Sequence, residues 1–149
     1  MRTHNYLLLI VGLFIMVSCK KDKNEPVVFK DFTMEALTAK SWKPALVDGN
    51  PSVNPPVGTY QYYPVQNWDK DDVITFKTDS RDYYNYGSVL PPIGVETPDS
   101  KIYSVDLSKK LIIIGGITYQ LLELSATHLK YNLIPAAGNP TLIFMFEHS

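Results

Sequence analysis

Cysteine is nearly absent from this chain, which has one among 149 residues, Cys19. A single cysteine cannot form a disulfide within the chain, so packing alone must stabilise the fold. Histidine is also scarce, and only His128 and His148 lie beyond the N-terminal region. Two histidines without cysteine are poor material for a zinc site, and His128 falls on the polar phase of a predicted strand. We therefore predict no metal and no other cofactor.

The chain also lacks an excess of charge of either sign, with 14 basic and 15 acidic side chains. This balance provides no basic field for nucleic acid and no large acidic field. Catalytic motifs are missing too, because no serine sits in a Gly-x-Ser-x-Gly elbow. Gly115-Gly116 is followed by a strand pattern, whereas a phosphate-binding loop needs a helix N-terminus. We predict a protein that is not an enzyme and does not bind nucleic acid.

The segment Asp69-Lys70-Asp71-Asp72 resembles the opening of a calcium-binding loop. An EF-hand requires glycine at the sixth position and glutamate at the twelfth. Counted from Asp69, these positions hold Ile74 and Ser80. We predict that the carboxylates solvate the entry to a strand instead.

No uncharged run in the N-terminal region is long enough to span a membrane comfortably. The run 7–17 is about half the roughly 20 residues that a membrane-spanning helix needs. A basic start with Arg2, a short apolar run and a small residue before Cys19 are typical of a secretory signal peptide. Met16-Val17-Ser18-Cys19 also resembles the bacterial lipobox. This resemblance implies that residues 1–18 are removed and that Cys19 carries diacylglycerol, whose two chains provide stable anchoring.

Residues 19–30 are predicted to form a lipidated tether. The segment 20–26 is charged, lacks apolar periodicity and ends in a proline, as expected for a solvated linker. Lys20 is not the aspartate found after the cysteine of lipoproteins retained at the inner membrane. The resemblance thus implies the outer membrane of the cell envelope, on its periplasmic face or at the cell surface.

Residues 31–149 are predicted to form one domain that begins with a short helix over 31–40. Asp31 and Thr33 are the candidate N-caps, and Met34 and Leu37 are predicted to face the core. From Ser41 onward the pattern alternates with a period of two, which indicates strands. The predicted strands are 41–48, 72–78, 81–86, 102–107, 110–114, 117–124, 127–134 and 141–147, with a further candidate near 59–65.

The order of these segments predicts an all-β fold. Gly115-Gly116 separates two strands by the spacing of a tight hairpin. No long helical segment interrupts the strands, so parallel crossovers are not expected and the sheet should be an antiparallel up-and-down meander. Such a meander must close or fold over to protect its edges, which leaves a barrel or a sandwich. The short later turns favour the barrel.

Three motifs resemble those of the lipocalin-like lipoproteins of Gram-negative, Bacteroidetes-type bacteria. Lys40-Ser41-Trp42 stands in the place of the family's Gly-x-Trp, with Lys40 where the family has glycine. Residues 72–76 resemble its "ITF" strand. Residues 117–124 followed by 127–131 resemble its "Y-x-I-x-x-L-s-x-t-x-L-x-l" hairpin. The resemblance implies an eight-stranded barrel, with the short helix before it, that can hold a small apolar molecule.

Tyrosine and tryptophan are concentrated around the Pro-rich stretch 51–68 and the strand that begins at Arg81. These side chains combine a large apolar face with a polar tip, which suits ligand contact at a wet rim. The alternative is that the rings pack the loop onto the barrel, and alternation forces at least one of Tyr83 and Tyr84 inward. The candidate rim residues are Tyr60, Tyr62, Tyr63, Trp68, Tyr83, Tyr84 and Tyr86.

Two functions therefore remain open for the mature domain. In the first, the barrel binds a small amphipathic or apolar molecule at its mouth. In the second, a packed β module docks a protein or glycan partner at the envelope. Inward Phe76, Tyr103, Tyr131 and Phe144 would occupy much of the interior, which weakens the first, but we predict binding and keep docking as the alternative. An apolar cavity of roughly 300 Å³ or more would favour the first.

Overall fold

The computed structural model describes residues 32–134 and 140–149, which form one short helix and nine strands. The predicted signal peptide, Cys19, the tether and the N-cap candidate Asp31 lie outside these residues. No helix within them is long and apolar enough to cross a membrane. The elements are α1 (Met34–Thr38), β1 (Trp42–Pro44), β2 (Tyr60–Tyr62), β3 (Val73–Phe76), β4 (Arg81–Asn85), β5 (Ser100–Asp106), β6 (Leu111–Ile114), β7 (Ile117–Leu124), β8 (His128–Leu133) and β9 (Thr141–His148).

Eight of the strands close into an antiparallel barrel, which confirms the predicted all-β up-and-down fold. Each strand from β3 to β9 pairs with the next along the chain, and β1 pairs with both β3 and β9. The ring therefore has no free edge along these pairings. Gly115 and Gly116 have φ of 56° and 82° and connect β6 to β7, which confirms the predicted tight hairpin.

The strand β2 is the exception to the antiparallel pattern. It pairs with β9 in parallel, with Tyr60 beside Thr141, so the prediction of a wholly antiparallel sheet was wrong. The reason is that β1 ends at Pro44, well short of the predicted limit at residue 48. β1 covers only the C-terminal half of β9, and β2 takes its place along the N-terminal half.

The helix α1 closes one end of the barrel. Its N-cap is Thr33, whose side chain accepts a hydrogen bond from the Ala36 amide. Leu37 is fully buried as predicted, but Met34 is 38% exposed, and Ala36 is buried in its place. The short helix turns residues 36 and 37 inward together, so the predicted three-residue spacing does not describe its buried face. The indole of Trp42, itself fully buried, donates a hydrogen bond of 2.9 Å to the Leu37 carbonyl.

The closed end lies at the opposite end of the barrel from the β6–β7 hairpin. Phe32, just before α1, packs against the core, and the Lys110 ammonium lies 4.8 Å from the centre of its ring. Lys110 belongs to the turn between β5 and β6, whereas Gly115-Gly116 stands at the far end of β6. The N-terminal side of the described chain therefore enters at the closed end.

The polar side chains of β8, which the alternation placed on the outer face, are covered and do not face solvent. Lys130 is only 1% exposed, because residues 48–53 cover the outer face of the barrel at this point. Asn132 is also buried, and His128 is half-buried against Gly49. A register shift in β7 between Leu121 and Glu123 places Glu123 opposite Lys130 on this covered face.

Candidate functional site

The barrel encloses a cavity of about 600 Å³ that opens at the end opposite α1. Its volume exceeds the threshold that separates the two functional predictions and falls within the usual range for small-molecule sites. The inward rings divide the interior in two. Phe76 and Tyr103 fill the closed half, where they pack edge to face with centroids 5.1 Å apart. The open half is lined by apolar side chains that include Ile74, Ile114, Phe144 and Phe146.

Tyr84 of β4 and Tyr86, the residue just after β4, form one wall of the cavity. The rings of Tyr84 and Tyr86 are stacked, with centroids 6.1 Å apart and planes inclined by 15°. The Tyr84 hydroxyl donates a hydrogen bond of 2.8 Å to the buried Asp82 carboxylate. The Tyr86 hydroxyl donates one of 2.9 Å to the Pro98 carbonyl, so both rings are held in place. Burial, together with the charge of Asp82, raises the pKa of Tyr84. Both rings therefore present fixed, neutral aromatic faces to the cavity.

Two further tyrosines stand deeper in the cavity on the opposite strands. Tyr119 and Tyr131 meet edge to face, with centroids 5.0 Å apart, and Tyr131 also stacks on Phe146. Tyr131 is only 6% exposed, and this burial raises its pKa well above the usual value. The hydroxyls of Tyr84, Tyr86 and Tyr103 are hydrogen-bonded, but those of Tyr119 and Tyr131 form no hydrogen bond to another described residue. They are the polar groups that a bound molecule would meet inside.

The rim of the cavity carries acidic groups from three positions and one lysine. Asp69, Asp72 and Glu96 line it together with Lys101. Asp72 accepts a hydrogen bond of 2.8 Å from the Gly87 amide. Burial raises the pKa of Asp72, and the neighbouring charges of Asp69 and Asp71 raise it further. The half-buried carboxylates of residues 69 and 72 thus repel one another at the entrance.

The structure brings three of the seven predicted rim residues to the cavity. Tyr84 lines it from β4 and Tyr86 from just after β4. Tyr63 lines it from the segment after β2, where its ring stacks on Phe144 at 4.7 Å. Burial, together with the neighbouring Asp69, raises the pKa of Tyr63. Of the predicted rim residues, these three therefore form one side of the mouth.

The other four predicted rim residues do not line the cavity. Tyr60 and Tyr62 lie on the outer face of β2, where Tyr62 packs against Ile143 and Met145. Tyr83 points outward because its neighbour Tyr84 points inward, and its hydroxyl donates to Asp79. Trp68 is half-buried in the loop before β3. For Tyr62 the packing interpretation of the aromatic loop is the correct one.

Sequence reasoning missed Tyr119 as a lining residue and treated Tyr131 as filling. A signal for both was present in the alternation. Tyr119 shares the inward phase of β7 with Leu121, and Tyr131 shares that of β8 with Leu129. The depth of each residue along the barrel, which decides between filling and lining, depends on the register of all eight strands.

The described ranges contain no group of three or more histidine, cysteine or acidic side chains arranged to hold a metal ion. A scan against protein-family models and searches of the curated proteins and of the solved structures each found no match to this chain. The function must therefore be argued from the barrel and its cavity.

Proposed function

We propose that the chain is an outer-membrane lipoprotein, anchored through Cys19, whose lipocalin-like barrel binds a small amphipathic or apolar molecule at its mouth. The observation that carries the binding role is the cavity of about 600 Å³, closed below by Phe76 and Tyr103 and open above. Apolar walls with a few fixed polar groups are the usual composition of a small-molecule site. Here those polar groups are tyrosine hydroxyls inside and carboxylates at the rim.

The test is native mass spectrometry of the full chain purified from its own host. We expect a co-purifying small molecule with the wild-type protein. Ile117 lines the mouth and is 50% exposed, so Ile117→Trp should narrow the entrance without disturbing the core and should reduce the bound fraction. Ile113, 38% exposed on the neighbouring strand, lines no part of this cavity, and Ile113→Trp is the matched control. Equal occupancy in both variants would contradict binding at the mouth.

The anchor is tested separately by metabolic labelling with a palmitate analogue. We expect label on the wild-type chain and none on Cys19→Ser, because the thioether requires the cysteine sulfur. An unlabelled wild-type chain would refute the lipoprotein part of the proposal and leave the binding part standing.

One observation favours the docking function as a second candidate. The loop between β4 and β5 exposes several apolar side chains, of which Ile93 is fully exposed and Leu90 is 71% exposed. Exposed apolar groups of this kind are common at protein interfaces. A chain that purifies from its host without any small molecule, but with a protein bound through this loop, would favour docking. Ile93→Ser would then release the protein.

A further inference from the structure

The entrance of the cavity has an excess of negative charge. Three of its lining residues are acidic, and Lys101 is the one basic residue among the lining residues that the structure describes. One of these acidic residues, Asp72, also acts on Tyr86, whose pKa is raised by burial and then by Asp72, Asp99 and Asp82. Among the described residues, Asp69, Asp72 and Glu96 form no ion pair with a lysine or arginine. The field at the mouth therefore favours a cation.

The aromatic walls also suit a cation. The Lys101 ammonium lies 5.0 Å from the centre of the Tyr84 ring, within the range of a cation–π contact. The mouth thus already holds one ammonium against its tyrosine wall. The stacked face of Tyr86 and the ring of Tyr63 line the same cavity.

The interior supplies a second polar feature that is independent of the acidic rim. Tyr131 is 6% exposed and lines the cavity, yet its hydroxyl has no hydrogen-bond partner among the described residues. This hydroxyl can therefore form a hydrogen bond with a molecule bound in the cavity. The surrounding side chains of Ile114, Phe144 and Phe146 are apolar.

We propose that the cavity selects a small organic cation, an aromatic or aliphatic amine or quaternary ammonium. Its charged head would lie at Asp69 and Asp72, with Glu96 across the entrance, and its apolar body would lie between the tyrosine wall and Phe144. This inference rests on the proposed binding function and names the chemical class of its ligand. A cation here relieves the mutual repulsion of the two half-buried carboxylates, whereas an anion would add to it.

The test uses three probes that share a phenyl ring and a four-carbon chain and carry a cationic, neutral or anionic head group: 4-phenylbutylamine, 4-phenylbutanol and 4-phenylbutyrate. Isothermal titration calorimetry is performed at neutral pH and low salt on the full chain in nanodiscs of zwitterionic lipid, with empty nanodiscs subtracted. We expect the amine to bind at least about tenfold more tightly than the alcohol, equivalent to about 1.4 kcal/mol, and the acid to bind most weakly. Added salt should reduce the preference, since the rim is partly exposed.

Variants locate the effect. The double variant Asp69→Asn, Asp72→Asn keeps an acceptor oxygen for the Gln66 and Gly87 amides but removes both charges, and it should abolish the preference for the amine. Glu35→Gln is the control, because Glu35 is exposed in α1 at the closed end of the barrel and does not line the cavity. It should retain the preference.

The outcomes separate the two proposals. If the alcohol or the acid binds as tightly as the amine, or if the double variant keeps the preference, cation selection is wrong and small-molecule binding stands. A neutral or anionic molecule that co-purifies from the host would likewise refute cation selection and leave small-molecule binding standing. If none of the three probes binds, this inference is refuted, and the co-purification experiment decides the binding function by itself.

Discussion

Replacing Lys130 with methionine would remove an ammonium group from four oxygen partners and keep most of the apolar part of the side chain. The Lys130 Nζ lies 2.7 Å from Asp48 Oδ1 and 3.2 Å from Glu123 Oε2, and it donates to the carbonyls of Asn50 (2.7 Å) and Val53 (3.0 Å). The contact with Glu123 is an ion pair without hydrogen-bond alignment, since Oε2 itself accepts no hydrogen bond. The substitution would leave two buried carboxylates without their cation.

The expected cost is about 3–5 kcal/mol of unfolding free energy, as is typical when one partner of a buried ion pair is removed. Summing three charged hydrogen bonds and one ion pair would give more, but domains are stable by only about 5–15 kcal/mol and such contacts are not additive. The figure depends on burial: the side chains of Lys130, Asp48 and Glu123 are only 2%, 6% and 8% exposed. Screening by water is therefore weak.

Urea unfolding followed by circular dichroism measures this cost. Lys43→Met is the matched control, because Lys43 pairs with Glu147 at 3.2 Å while both side chains remain over 40% exposed. We expect the control to cost less than about 1 kcal/mol. Combining Lys130→Met with Asp48→Asn and Glu123→Gln should recover more than half of the loss. If Lys130→Met cost no more than the control, the buried cluster would not stabilise the barrel as argued.

Three further predictions concern the closed end, the hairpin and acid stability. Trp42→Phe should destabilise the fold by about 1–3 kcal/mol in urea, since the Leu37 carbonyl loses its buried donor; an unchanged midpoint would contradict this role. Gly116→Ala should cost about 1–2 kcal/mol, because φ of 82° strains any side chain, and thermal unfolding will show whether it does. Burial opposes ionisation of Asp48, but hydrogen bonds from Lys130, Tyr62 and Asn50 outweigh it and lower its pKa below 3.8. A lowered pKa contributes stability that is present above the unfolded value and is lost as pH falls through the folded value. The unfolding free energy of Asp48→Asn should therefore fall less than that of the wild type as the pH drops below about 4. An equally steep fall in both proteins would refute the assignment.

Much of the barrel could be predicted because its strands follow a simple local rule. The alternation in β3 and β9 placed Phe76 and Phe144 inward correctly, and the Gly115-Gly116 pair marked its hairpin. Alternation describes only the two faces of a strand, however. It could not show that another segment covers the outer face of the barrel and buries Lys130.

The parallel strand β2 and the cavity depend on long-range arrangement. Nothing local in residues 60–62 distinguishes pairing with the next strand from pairing with β9, the last. The N-terminal half of β9 has no partner in β1, because β1 is only three residues long. The length of β1 depends in turn on how the whole ring closes. The cavity similarly depends on how far along the barrel each inward ring lies. Phe76 and Tyr103 fill the closed half, and Tyr131 faces open space, although all three have the same inward phase.

The two proposals together place the lipid and the mouth at different ends of the barrel. Phe32 enters at the closed end beside Lys110, while the cavity opens at the opposite end, near the β6–β7 hairpin. A lipid on Cys19 would therefore attach the barrel at its closed end through the tether 19–30. The acidic entrance would lie at the end farther from this attachment, where a ligand can reach it from water. Access from water suits a small water-soluble cation, because such a molecule needs no membrane to deliver it.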